Sequence, residues 1–293
     1  MMWQSIGEHI ASTLGEPFVI HTTRSVGGGS INSAFVVSDE AKSFFVKTNA
    51  ASRLDMFEAE LEGLLEIARH KTIKVPEPLC VGVCEGTAYI VMEHLPIHGK
   101  GSGSTGMEQL GHDLASMHRI TQEQYGWHRD NTIGSTPQTN SLSSNWVTFY
   151  RDHRLGFQYQ LAAEHGYGHL LRRGEALMAG LDGFFTDYQP EASLLHGDLW
   201  SGNYAIDDNG RPVIFDPAVY YGDREADIAM TELFGGFSQR FYSAYNDAYP
   251  MDKGFRVRKT LYNLYHILNH LNLFGGGYLG QAERMTEQLL AEI

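Results

Sequence analysis

Cysteine is nearly absent from this chain: the two that occur, Cys80 and Cys84, stand in a single C-x-x-x-C. One such pair has no second pair to complete a zinc site, and two thiols do not make a disulfide framework. Long apolar runs are missing too, since no stretch approaches the ~18 uninterrupted residues that a membrane-spanning helix needs. Residues 1–15 carry no basic start followed by a long apolar run. Neither a secretory signal nor a membrane anchor is therefore expected, and the cytoplasm is the expected compartment. Positive charge is scarce. Lys and Arg number 22 against 35 Asp and Glu, a formal net charge of −13, and no Lys/Arg run would build a local basic groove. So acidic a surface repels phosphate backbones and anionic lipid, which argues against nucleic-acid and membrane partners. No internal repeat is present.

What remains is the composition of a globular protein, with 42% hydrophobic and 19% charged residues in 293 positions. That length suits one large domain or two lobes. The first third reads as mixed α/β. Strands are expected at 19–25 and 33–38 around Gly27-Gly28-Gly29, then at 44–48. A helix over 55–69 follows, with Asp55 as N-cap, and after Pro76 and Pro78 a strand pair at 79–83 and 88–93. The Gly/Ser-rich stretch 98–106 reads as a flexible connection. Beyond it the chain turns mainly helical, over 107–119, 142–165, 168–187, 224–247 and 255–273. One strand-turn-strand interrupts, from Asn203 through Asp207-Asp208-Asn209-Gly210 to Asp216. The expected fold class is α+β with two lobes: a small β-rich N-terminal lobe, 1–94, and a larger, mainly helical C-terminal lobe, 95–293, with hinge and linker at 95–106.

Chemistry concentrates in His196-Gly197-Asp198-Leu199-Trp200-Ser201-Gly202-Asn203. Asp198 and Asn203 stand five positions apart, the spacing of the kinase catalytic loop H-R-D-x-x-x-x-N with Gly in place of Arg. A tight loop can bring a carboxylate to the attacking hydroxyl and an amide oxygen to a magnesium ion at the same phosphate. Eighteen positions after Asp198, the apolar run Val213-Ile214-Phe215 ends in Asp216, a second candidate ligand for that metal. Asp198 is thus the expected base, and Asn203 and Asp216 the expected magnesium ligands. The literal H-R-D at His128-Arg129-Asp130 has Ser135 where Asn should stand, and it is read as structural or substrate-adjacent.

In the first lobe, Gly27, Gly28, Gly29 and Ser30 form a turn whose backbone N–H groups could cover an anion. Lys47 lies in the strand Phe44-Phe45-Val46-Lys47-Thr48. In the following helix Met56, Phe57, Leu61, Leu64, Leu65, Ile67 and Ala68 form one apolar stripe. Glu58, Glu62 and Glu66 fall off it, toward solvent, whereas Glu60 falls inside. A carboxylate facing a core needs a cation, and Lys47 is the one at hand, which would make the Lys–Glu pair that holds nucleotide phosphates in kinases. Met92-Glu93-His94 ends a strand at the linker, either as a hinge whose backbone binds adenine or as a plain strand end. Trp200 and Tyr220 suit a sugar pocket or a lobe core equally. His266 and His270 are spaced for a metal but lack a third ligand, so packing is expected of them. Asp223 and Asp227 read as structural supports.

The chain resembles the fructosamine kinase (ketosamine-3-kinase) family, related to the aminoglycoside and choline kinases. The resemblance rests on SLLHGDLWSGN (193–203), VIFDPAVYYGDREADIAM (213–230), ELFGGFSQRFYSAY (232–245) and LYHILNHLNLFGGGY (264–278). GGGSINSAF (27–35), MFEAELEGL (56–64) and VPEPLCVG (75–82) add to it. It implies a protein-kinase-like fold, ATP and Mg²⁺, and phosphorylation of a sugar hydroxyl on a protein-bound or amino-acid-bound ketosamine. A monomer is expected. Some members carry Cys in the Gly-rich loop, linked to redox-controlled dimers. This chain has Ser30, so no redox switch is expected there. Another hydroxyl acceptor (an aminoglycoside, a hydroxylated amine or a simple sugar) stays open, as does a nucleotide-binding pseudokinase.

Overall fold

The continuous apolar runs Ala34–Val37 and Phe44–Val46 suit strands covered on both faces, since successive side chains of a strand point to opposite sides of a sheet. The computed structural model describes residues 2–27, 31–96 and 104–293. Helix α1 (Met2–Leu14) comes first, followed by β1 (Thr22–Val26), β2 (Ser33–Ser38) and β3 (Ser43–Ala50). Then come α2 (Leu54–Ala68), β4 (Pro78–Cys84) and β5 (Thr87–Glu93). The five strands form one antiparallel sheet in the order β1-β2-β3-β5-β4. Val46 pairs with Val91 and Lys47 with Ile90. Val37, Val46, Cys80, Tyr89 and Val91 pack with Phe18 and with Ile6 and Ile10 of α1. One residue further along β3, on the other face, Lys47 meets α2.

Several local expectations change here. Asp55 does not cap α2: Arg53 precedes the helix without a side-chain cap, and Asp55 lies in the first turn, where a carboxylate favours the helix dipole. Glu66, placed toward solvent by the stripe, is buried and accepts from Arg69 at 2.5 Å. Leu65, placed in the stripe, is exposed. Both free cysteines lie in β4, Cys80 buried with its thiol pushed up to about 11 by burial.

Helix α3 (Ser104–His118) leads to the short strands β6 (Thr121–Gln122), β7 (Asn131–Ile133) and β8 (Thr136–Gln138). The helix expected over 142–165 is α4 (Trp146–Tyr150) and α5 (Phe157–Ala162), each followed by a π-helical turn, at 151–156 and 163–167. Gly166, at φ 98°, breaks the run before α6 (Gly168–Ala179). β9 (Ala192–Leu195) sits between β12 (Tyr220–Gly222) and β6, while β10 (Tyr204–Ile206) and β11 (Pro212–Ile214) make a hairpin. The helix expected over 224–247 is two, α7 (Glu225–Leu233) and α8 (Gln239–Ala248). The chain closes with α9 (Phe255–Phe274) and α10 (Leu279–Leu290). Among the described residues no helix is long and apolar enough to cross a membrane.

The chain divides into two units. One comprises Met1–Gly106 with Ala205–Pro217, the other Met107–Tyr204 with Ala218–Ile293. The expected boundary at 94/95 thus falls later, and the hairpin expected in the second lobe goes with the first. Its strand β11 reaches the first unit through a bridge from Val213 to Lys74, where Ile214 N donates to Lys74 O at 3.0 Å.

In the second unit, α9 is buried along most of its length, including His266. Burial, helped by His270, depresses the His266 pKa to about 3. The unfolded chain binds a proton at this residue near pH 6.5 and the folded one does not. Stability should therefore fall as pH drops below about 6.5, and this contribution should level off below about 3. The full effect is roughly 5 kcal/mol at most. Unfolding free energy measured from pH 7 to pH 4 should show a flatter curve for His266→Gln than for the wild type.

Candidate active site

Four fully buried residues of β9 deliver the chain to His196. There the backbone turns sharply, with Gly197 at φ 82°. The turn is fixed from both sides. The Asp227 carboxylate, on α7, accepts from His196 N at 2.7 Å and Gly197 N at 2.8 Å. Ala218 N donates to His196 O at 2.8 Å. Asp227 is buried, which raises a carboxyl pKa, but the hydrogen bond from His118, the nearby histidines and the loop N–H groups outweigh burial and hold it below its usual value. Asp223 is also structural: it accepts from Tyr188, Tyr262 and Glu225 N.

Asp198 follows the turn, its N–H donating to His196 Nδ1 at 3.2 Å. Asn203 Nδ2 donates to Asp198 O at 2.8 Å and Asp198 Oδ2 at 3.2 Å, while Asn203 N donates to Trp200 O at 2.9 Å. The five-residue spacing thus closes a loop that joins the two side chains. With its Nδ2 spent on Asp198, Asn203 has Oδ1 left as the oxygen that could bind a cation. Trp200 is partly exposed, its ring edge-on to Phe234 at 6.2 Å. Ser201 Oγ donates to Phe234 O, tying the loop to the end of α7.

Tyr220 does not line a pocket. It is 3% exposed, with the Arg154 guanidinium 4.1 Å above its ring and Phe149 stacked at 5.9 Å. Strand β12 carries it into the core beside β9, so the lobe-core alternative holds. His128-Arg129-Asp130 is structural: Asp130 Oδ1 accepts from Asn140 N and Arg129 O from Asn140 Nδ2. His270 packs against Phe234, Phe274 and Tyr278, and no cluster of three His, Cys, Asp or Glu suited to a metal occurs among the described residues.

In the first unit, Lys47 Nζ lies 2.6 Å from Glu60 Oε1 and 2.5 Å from Asp216 Oδ1. Burial would lower the Lys47 pKa, but the two carboxylates outweigh it and hold the ammonium group protonated well above the usual lysine range. Glu60 is the stripe residue picked out by helical periodicity; Asp216 was not foreseen as its companion. Asp216 sits at φ 59° with its side chain 46% exposed, a hard oxygen donor of the kind Mg²⁺ takes. Gly28, Gly29 and Ser30 lie outside the described residues. Gly27 is exposed, and Asn49 Nδ2 donates to Ile31 O and Asn32 Oδ1. Met92 is buried, Glu93 accepts from Lys74 at 2.6 Å, and His94 Nδ1 meets Ser43 Oγ at 2.8 Å. Glu93 N donates to Glu77 O, so that donor is not free for a ligand.

The sequence reading missed His118, the last residue of α3, whose Nε2 lies 3.1 Å from Asp227 Oδ2. A lone histidine at a helix end has no spacing that marks it.

Residues 2–292 match the family described as fructosamine kinase. The chain is 46% identical over 289 residues to a protein of Synechocystis sp. named probable ketoamine kinase, covering 98% of this chain and 97% of that one. It is 43% identical over 282 residues to the chloroplastic protein-ribulosamine 3-kinase of Arabidopsis thaliana, covering 95% and 85%. A crystal structure from Haemophilus somnus 129PT, of a candidate fructosamine-3-kinase, superposes with a TM-score of 0.90 at 29% identity over 98% of this chain and 97% of that one. At the level of fold alone, the aminoglycoside phosphotransferase APH(4)-Ia matches with a TM-score of 0.58 at 16% identity over 97% and 98%. The fold is protein-kinase-like, with a β-rich N-terminal part and a larger helical C-terminal part.

Two glycines separate backbone strain from crowding. A Cβ on Gly197 would overlap the carbonyl oxygen of Ala218, whereas one on Gly210, at φ 77°, would meet nothing within 4 Å. Gly210→Ala should cost about 1–2 kcal/mol, the left-handed penalty alone. Gly197→Ala should cost on the order of 3 kcal/mol or more, read from urea midpoints, because backbone must also move.

Proposed function

The chain belongs to the fructosamine kinase family, and from that premise we propose that it transfers the γ-phosphoryl group of ATP to a sugar hydroxyl of a ketosamine carried on a protein or an amino acid. The observation that supports this most is the hydrogen-bonded pair Asp198–Asn203 on a loop whose entry is clamped by Asp227. Asp198 accepts the hydroxyl proton and orients the oxygen for attack. Lys47, kept cationic by Glu60 and Asp216, binds the nucleotide phosphates, with residues 27–30 as their cover. Asn203 and Asp216 would hold magnesium, which neutralises charge on the transferred group when bound. The loop acts by positioning and electrostatics, since phosphoryl transfer asks little covalent chemistry of a protein. Trp200, partly exposed two residues from Asp198, offers an aromatic face to the sugar. The carbonyls near Met92 to His94 remain candidates for the adenine edge. Action in the cytoplasm, as a monomer, completes the proposal.

A side-by-side assay of ATP consumption decides the acceptor. Ribuloselysine or fructoselysine should give kcat/KM well above any aminoglycoside or choline, because a site built to hydrogen-bond a sugar's hydroxyls leaves its own groups unpaired with a mismatched acceptor. Aminoglycosides winning that comparison would sink the substrate reading. Asp198→Asn should lower kcat by on the order of 10²-fold or more while ATP affinity is kept.

The Lys47 assignment has its own test. Glu60→Ala removes one of two carboxylates from a buried cation and should lower kcat/KM for ATP by about tenfold or more. Glu62→Ala, in the same helix, should stay within about twofold. Equal effects would show that Glu60 does not set the lysine.

A further inference from the structure

Asp227 takes a third hydrogen bond, and its donor comes from a different part of the chain. His118 Nε2 lies 3.1 Å from Asp227 Oδ2, the same oxygen that accepts from His196 N. His118 Nδ1 lies 2.7 Å from the Tyr245 hydroxyl, on α8. That hydroxyl accepts from Arg224 Nη1 at 3.0 Å. His118, Tyr245 and Asp227 are each 1% exposed or less. Arg224 is anchored in turn by the carbonyls of Tyr249 and Pro250, with its guanidinium 3.6 Å above the Tyr249 ring.

The direction of every bond follows from the ends. A guanidinium can only donate, so the Tyr245 oxygen accepts from it and must turn its own proton toward His118 Nδ1. His118 therefore carries its proton on Nε2, the nitrogen facing Asp227. An ionised carboxylate can only accept, so the chain ends consistently. Burial keeps the imidazole pKa below its usual value despite Asp227, so the contact is a hydrogen bond from a neutral ring rather than an ion pair. Arg224 and Asp223 are the other charged groups near the ring.

We propose that His118 is a positioning residue for phosphoryl transfer: the buried series Arg224–Tyr245–His118 fixes the plane of the Asp227 carboxylate, and that carboxylate fixes the backbone from which Asp198 projects. Two backbone donors, one to each oxygen, hold the loop to Asp227. Without a donor on the far side the carboxylate can pivot, and the loop entry pivots with it. A displacement of about 1 Å at a reacting group can cost ~10²-fold in rate. The inference rests on Asp198 being the base.

The test uses the full chain with ATP and whichever acceptor the wild type turns over fastest in the comparison above. His118→Leu removes the donor to Asp227 and should lower kcat by about tenfold to a hundredfold, with KM for ATP within about twofold. His118→Gln places an amide N–H within reach of Asp227 and should recover kcat to within about threefold of wild type. Tyr245→Phe keeps the ring, frees the tautomer and takes one of several acceptors from Arg224, and should lower kcat by about threefold or more at unchanged KM. In an Asp227→Asn background, His118→Leu should add little, since both changes break one contact. The proposal is overturned if His118→Gln is no better than His118→Leu, or if the two losses multiply. Should the leucine variant not fold, Tyr245→Phe decides alone, and wild-type kcat there overturns it. Asp198→Asn, measured alongside, separates the two readings: near-wild-type turnover in that variant removes the base assignment itself.

Discussion

A buried ammonium group obliges a chain to bring it carboxylates, and much of the first unit is arranged around the one on Lys47. The residue sits on the second face of β3, where alternation leaves it no route to water. Glu60 reaches it from α2, 13 positions on, and Asp216 from the end of the β10–β11 hairpin, 169 positions on. Removing one partner from a buried pair costs about 3–5 kcal/mol, so the geometry of sheet, helix and hairpin is held together by a charge balance as well as by apolar burial. It also accounts for the hairpin's membership: residues 205–217 belong with the sheet because their last carboxylate and the Lys74–Val213 bridge both end there.

The second unit meets the same requirement with more groups. Arg258 of α9 makes a two-pronged pair with Glu225 at 2.7 and 3.0 Å, both residues buried, and reaches Asp252 at 2.6 Å. Burial raises the Glu225 carboxyl to about 7 against the opposing pull of Arg258. These contacts set the first turn of α7, the helix that carries Asp227. The mainly helical unit therefore has a polar seam beneath its loop, and the helices around it are oriented by hydrogen bonds as much as by their apolar stripes. Such a seam is costly unless every member is matched, which explains why phenols of Tyr188, Tyr245 and Tyr262 are spent on it.

The parts of the site legible in the sequence were those written as short spacings or as one exception to a pattern. Asp198 and Asn203 stand within one loop, and Glu60 is the single carboxylate inside an apolar stripe. Asp216 was legible as a strand-end carboxylate, but not its contact with Lys47, which spans 169 positions. Tyr220 and Trp200 looked alike, because nothing local distinguishes an aromatic that a sheet carries inward from one left at the surface. Glu66 misled for a related reason: helical angle places it off the stripe, yet packing reaches round that side of α2. Helices α1 and α10 escaped notice because their apolar faces are narrow, the buried apolar side chains being Ile6 and Ile10 in one and Ala282 and Leu289 in the other. The strands β6 to β9 have two to four residues, too few for a period to register.

The path of the backbone between the two units has a consequence for inheritance. The chain leaves the first unit at Gly106, returns to it from Ala205 to Pro217, and leaves again. A genetic crossover between two relatives anywhere from 107 to 204 would take Lys47 and Glu60 from one parent and Asp216 from the other. The three charges must then agree across parents, though the crossover point lies in neither segment. A single crossover there therefore assembles that charge contact from two parents, and a chimera keeps it only where both carry the same three side chains.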